Sequence, residues 1–143
     1  MKTNTQPYPG PQTDTRNMSL LKAFDDERRA WGLAELAQEV GLKKTTTYRL
    51  LTALESEGMV ARRPFAETYI LGPEIVVLGG RALRSNDLRS LAKPELEKMA
   101  AASGETATLE IISGEDHVLI IDEVIGHHLV GSSQSLGTRW PMV

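Results

Sequence analysis

Lys43, Lys44, Thr45, Thr46 and Arg49 crowd into one short stretch, and Arg62 and Arg63 follow soon after. These side chains suit nucleic acid. Arginine can bridge O6 and N7 of guanine in the major groove, and threonine offers a hydroxyl and a methyl to base edges. Lysine suits phosphate. Helical arithmetic sorts the stretch into two faces: Thr47, Leu50, Leu51 and Leu54 point inward, leaving Lys44, Thr45, Thr46 and Arg49 outward in the first turns. A helix that reads DNA does so with its N-terminal residues. Plainer readings compete. Lys43, Lys44 and Arg49 fit a solvated helix face. Thr45 and Thr46 fit capping positions. Arg62 and Arg63 fit an edge strand guarded by charge, where alternation sends only one of them to any given face.

Other chemistry finds less support. His127 and His128 are adjacent, so on a strand they point apart and chelate poorly, even with His117 and Asp122 added. Asp122 and Glu123 form a nominal acid pair, but no nucleophile, base and oxyanion site occur together. No glycine-rich phosphate loop is present, and the chain has no cysteine. We therefore expect no enzyme activity, no cofactor and no metal.

The composition is that of a globular protein: 143 residues, 41% hydrophobic and 24% charged, with a net charge of −3. The net charge hides an asymmetry. Gly41–Arg63 holds five basic residues against two acidic ones, whereas Glu105–Val124 holds six acidic residues and no Lys or Arg. Binding to phosphate follows the local patch, so the first segment remains a candidate and the second would repel DNA. No apolar run approaches the roughly 20 residues of a membrane span. The N-terminal stretch has three prolines and no apolar core, unlike a secretory signal. A cytoplasmic setting is the expectation.

The elements that must position the basic stretch can be read in order. Residues 1–13 are expected to form a polar, disordered tail. Asn17–Arg29 shows an apolar stripe at helical spacing. A short helix starts at Gly32 and stops at Gly41. A third helix begins near Lys43 or Lys44 and ends at Gly58. Met59–Arg63 and Thr68–Leu71 make a hairpin around the loop Pro64–Glu67. Pro73 opens another helix, with Ile75, Leu78 and Ala82 on one face. Its Gly79 and Gly80 each cost about 1 kcal/mol against alanine, which suggests close approach of another helix. Leu88–Gly104 is helical, with Pro94 marking a kink or the true start. Glu105–Ile112 and His117–Val124 form a second hairpin, and Leu129–Ser133 offers a third strand. Three helices and a hairpin, with only Gly41-Leu42 between the second and third helices, describe a winged helix-turn-helix.

The stretch Leu33–Gly72 resembles the IclR family of bacterial transcriptional regulators. The resemblance rests on Leu33, Glu35, Leu36 and Ala37, then Gly41-Leu42, Thr45-Thr46, Tyr48-Arg49 and Leu50-Leu51. Tyr69, Leu71 and Gly72 match the end of the family's wing. Leu78-Gly79, Pro94 and Gly104-Glu105-Thr106 continue the match. Lys43 departs from the pattern, in which proline or serine is frequent.

The resemblance implies a mostly α N-terminal winged helix-turn-helix (14–72), a linker helix (73–86) and the beginning of an α/β GAF-like effector domain with an antiparallel sheet (87–143). The resemblance leads us to expect that the chain ends early in that last module, with most of its pocket absent. It also implies a sequence-specific DNA-binding regulator, working as a homodimer or tetramer on operator DNA and answering to a small-molecule effector. Tyr48 joins Lys43, Lys44, Thr45, Thr46, Arg49, Arg62 and Arg63 as a DNA-binding candidate. The competing expectation is an oligomerisation or metal-dependent sensor module with a non-functional helix-turn-helix.

Overall fold

The computed structural model describes residues 11–128 and 136–142. The chain divides into two compact units, one reaching Gly79 and the other starting at Gly80.

The first unit runs α1 (Pro11–Lys22), β1 (Trp31–Gly32), α2 (Leu33–Glu39), α3 (Lys44–Ser56), β2 (Val60–Arg63) and β3 (Thr68–Leu71). Helix α1 lies earlier than the apolar stripe suggested. It covers residues 11–13, which composition assigned to the tail, and it stops before Phe24. The stop is local: the Asp25 carboxylate accepts the backbone N–H groups of Glu27 at 3.0 Å and Arg28 at 2.7 Å. Such a turn competes with continued helix. Residues 1–10 lie outside the described residues.

Helices α2 and α3 end in the same way. Gly41 and Gly58 take φ of +69° and +71°. The apolar residue that follows each donates back: Leu42 N–H to Ala37 O and Met59 N–H to Leu54 O, both at 2.9 Å. This is the Schellman arrangement, which glycine permits because it lacks a Cβ. It turns the chain sharply after α2 and again into β2.

The wing is an antiparallel pair in which Arg62 lies opposite Tyr69. A strand not anticipated from the sequence, β1, pairs with the other side of β3, giving the order β1-β3-β2. Two residues are too few for a period-two signal. The core gathers Leu20, Phe24, Trp31, Leu36, Leu51, Leu54, Val60 and Tyr69 from every element of the unit. The indole N–H of Trp31 is satisfied by Ala23 O at 3.0 Å. At the base of the wing, a Cβ on Gly72 would overlap the Gly58 carbonyl, with Gly58 C at 2.8 Å.

Helix α4 (Pro73–Arg84) follows, and none of its residues is buried. The close approach expected at Gly79 and Gly80 is not made among the described residues. A Cβ at Gly79 would meet nothing within 4 Å, and one at Gly80 would meet only the Arg84 side chain of the same helix.

The second unit contains α5 (Asp87–Ser103) and the sheet β4 (Ala107–Ile112), β5 (His117–Val124) and β6 (Arg139–Pro141), in that order and antiparallel throughout. Asn86 caps α5 by accepting from Leu88 N–H at 3.1 Å, so the helix starts there and Pro94 lies inside it. The anticipated strand Leu129–Ser133 lies outside the described residues; the third strand seen is β6. Leu96 and Ala100 of α5 pack on Ala107, with Leu109 and Val124 beside them. The architecture is a winged helix-turn-helix followed by a helix-covered antiparallel sheet.

Candidate nucleic-acid interface

The turn at Gly41 delivers α3 with its apolar side on the core. Thr47, Leu51 and Leu54 are buried. The Thr47 hydroxyl, fully buried, donates to Lys43 O at 3.1 Å, so its polar atom is satisfied within the helix. Lys43, Lys44, Thr45, Tyr48 and Arg49 are exposed and Thr46 is half-buried. The N-cap is Lys43, whose side chain makes no capping bond. The first turn of α3 therefore presents its backbone N–H end and its cations on the same side, an arrangement that favours anions.

Two open clefts flank this helix. One, of about 490 Å³, is lined by Lys44 and Tyr48 of α3, Arg62 and Tyr69 of the wing, and residues of the α2 start and the wing loop. The other, of about 270 Å³, brings Thr46 and Arg49 beside Thr13 and Arg16 of α1. Arg16 was not singled out from the sequence, because α1 was placed too late in the chain to bring it near α3. Lys43, Thr45 and Arg63 line neither cleft.

Arg62 and Arg63 have different surroundings. Arg62 Nη2 donates to the Tyr69 hydroxyl at 2.9 Å, and its guanidinium lies over the Tyr69 ring at 5.1 Å from the centroid. Glu55 is 3.9 Å away. Tyr69, followed by a hydrogen bond with Tyr48, raises the Arg62 pKa above the ordinary arginine value, so the side chain stays charged at any working pH. Arg63 points to the opposite face of the strand and is exposed.

The alternative chemistries are placed as follows. His117 Nδ1 contacts Asp116 at 2.6 Å, and His128 Nδ1 contacts Glu105 at 2.9 Å. Asp122 is buried and engaged by Arg89 and Lys93, each at 3.4 Å. Among the described residues, no three His, Asp or Glu side chains gather as a metal would require. No helix among them is long and apolar enough to cross a membrane.

Comparison with known proteins agrees with this geometry. Residues 15–64 match the IclR helix-turn-helix domain. The chain is 34% identical over 140 residues to the acetate operon repressor of Salmonella typhimurium, covering 96% of this chain and 51% of that protein. It is 33% identical over 132 residues to the transcriptional repressor IclR of Escherichia coli, covering 92% and 48%. The crystal structure of an IclR transcriptional regulator from Alicyclobacillus acidocaldarius superposes with a TM-score of 0.75 at 33% identity, covering 90% of this chain and 52% of that one. The fold and basic helix define a chain of the winged helix-turn-helix class. Within that class, the chain belongs to the IclR family, and its second unit is part of the family's GAF-like module. It spans about half the length of the curated relatives it matches. Those relatives are transcriptional regulators, not enzymes.

Proposed function

We propose that this chain carries the DNA-binding half of a cytoplasmic, sequence-specific transcriptional regulator, with Lys43, Lys44, Thr45, Thr46, Tyr48, Arg49, Arg62 and Arg63 as its contact set. The observation that carries the reading is the exposed, cationic first turn of α3, held on a complete core beside a wing. In this reading Arg49 reads a base edge, and Lys43 and Lys44 grip phosphate. A homodimer would place two such helices in successive major grooves of a near-palindromic operator. The unburied helix α4 is the surface we assign to that assembly. A small-molecule effector with different affinity for two dimer arrangements would then shift the DNA-competent population; the family resemblance supports this part.

The test selects a preferred duplex from a random pool and compares it with unselected DNA across a salt series. Arg49→Ala should cost about 1–3 kcal/mol on the selected duplex and relax specificity at one base pair. Lys43→Ala should weaken both duplexes equally. Identical behaviour of Arg49→Ala and the parent chain on both duplexes would refute the assignment of faces. For the assembly, sedimentation should show a dimer at micromolar concentration that Gly79→Leu weakens; a monomeric parent chain would refute it.

A further inference from the structure

The cleft between α3 and the wing draws donors from two separate elements: Lys44 and Tyr48 from the helix, Arg62 from β2. Long exposed cationic side chains normally sample many rotamers, and binding must then immobilise them. Arg62 is already tied. Its Nη2 donates to the Tyr69 hydroxyl at 2.9 Å, and its Cζ is 5.1 Å from the Tyr69 ring centroid. Tyr69 itself is 3% exposed and belongs to the core that holds Leu36 and Leu51 of the helix-turn-helix. The guanidinium is thus referenced to the same core as the recognition helix, although it stands on a strand.

Two of the acidic groups nearby already face a cation, and a third, Glu67, also lines the cleft. Glu35, which also lines the cleft, is engaged by Arg28 at 2.5 Å. Glu55 lies 3.9 Å from Arg62 Nη2, the nitrogen that also serves Tyr69. Glu67 sits on the wing loop at φ +49°. A guanidinium carries five N–H donors, so its contacts with Tyr69, Glu55 and Tyr48 still leave donors for a further anion.

We infer that Tyr69 is a positioning residue: it holds Arg62 so that Arg62, Lys44 and Tyr48 together seat one backbone phosphate of duplex DNA, tying recognition helix and wing to the same point on the strand. The inference rests on the DNA-binding reading above. A phosphate fits better than a base edge. Ammonium, phenol and guanidinium all donate, none of the three needs an acceptor opposite it in this role, and a charged oxygen satisfies them together. Arg62 is also drawn back toward the core by Tyr69, whereas Arg49 is exposed on the outer face of α3.

The experiment measures binding of the full chain to the selected duplex across a salt series, for Tyr69→Phe, Arg62→Gln, Arg62→Lys and the double variant Tyr69→Phe/Arg62→Gln. Arg62→Gln should lower the salt slope by about one unit per protomer, and Arg62→Lys should restore the slope. Tyr69→Phe keeps the buried ring and should weaken binding about three- to tenfold with an unchanged melting temperature. The double variant should bind no more weakly than Arg62→Gln alone, because the hydroxyl acts only through the guanidinium. Wild-type affinity in Tyr69→Phe, or full additivity in the double variant, overturns the positioning role. If Tyr69→Phe fails to fold, the exposed Arg62→Gln still decides: an unchanged slope overturns the phosphate seat while leaving the DNA-binding reading intact. Absence of salt-dependent binding by the unaltered chain overturns both.

Discussion

The two units of the chain bury their apolar residues to different degrees. In the first, eight large side chains from the helices, the strands and the turn after α1 close over one another, and six more partly buried apolar residues seal the edges. In the second, one helix lies on one sheet, and the buried cluster is Leu96, Ala100 and Ala107. Ile120 and Ile121 of β5 are buried too, yet Leu91, Met99, Ile112 and Ile125 remain exposed, Leu91 at 75%. Burial of two adjacent residues on β5 is not the alternation of a one-faced strand, but a three-stranded sheet with a single covering helix leaves much of its second face open. The first unit has what an independent domain needs, and in the second the described residues leave apolar surface open to a further layer.

This contrast predicts that the units fail separately. Leu51→Ala should cost the first unit about 3–5 kcal/mol, because the residue is fully buried in its core cluster. Leu96→Ala should cost the second unit only about 2 kcal/mol, at the low end of such truncations. Denaturation followed by probes in each unit tests this; one shared transition displaced equally by both variants would erase the distinction. Hydrogen exchange offers a second test. Amides of Leu51 and Leu54 should be protected about a hundredfold more than those of Ile120 to Asp122, a gap of roughly 2.7 kcal/mol. Equal protection would show the second unit to be as well closed as the first.

Asp122 gives the effect with a pH signature. Burial raises its pKa, but the Glu123 N–H at 2.9 Å, Arg89 and Lys93 outweigh that and hold it below the ordinary value of 3.8. A depressed folded pKa means that the stability is present above the unfolded value and is lost as pH falls through the folded one. The second unit should therefore weaken below about pH 4 while the first is untouched by this group. Asp122→Asn should cost about 1–3 kcal/mol near neutral pH and flatten that acid limb. A limb that survives the substitution would assign the dependence to other carboxylates.

Legibility in the sequence followed the same division. The helix-turn-helix could be read because Gly41-Leu42 and Gly58-Met59 each pair a left-handed glycine with an apolar residue, a signal confined to neighbours. The burial of Thr47, Leu51 and Leu54 and the exposure of Lys44 and Arg49 then follow from helical period alone. What could not be read depended on distant partners. Helix α1 was misplaced because Phe24 continues the apolar spacing beyond the helix, while Asp25 diverts the backbone. Strand β1 exists only through its pairing with Tyr69 and Thr68. The role of Tyr69 needed a cross-strand register, and Arg16 needed the position of α1.

Gly72 and Gly79 differ in a way that would show in the genetics of this chain. No side chain can occupy position 72 without displacing the Gly58 carbonyl, so among living variants that site should admit a single letter whatever the cell demands. Position 79 has open space among the described residues, and alanine there would even favour the helix by about 1 kcal/mol. Purging of substitutions at 79 would therefore be the imprint of something outside the chain pressed against α4, and free drift there would mean that this side of the helix meets only solvent.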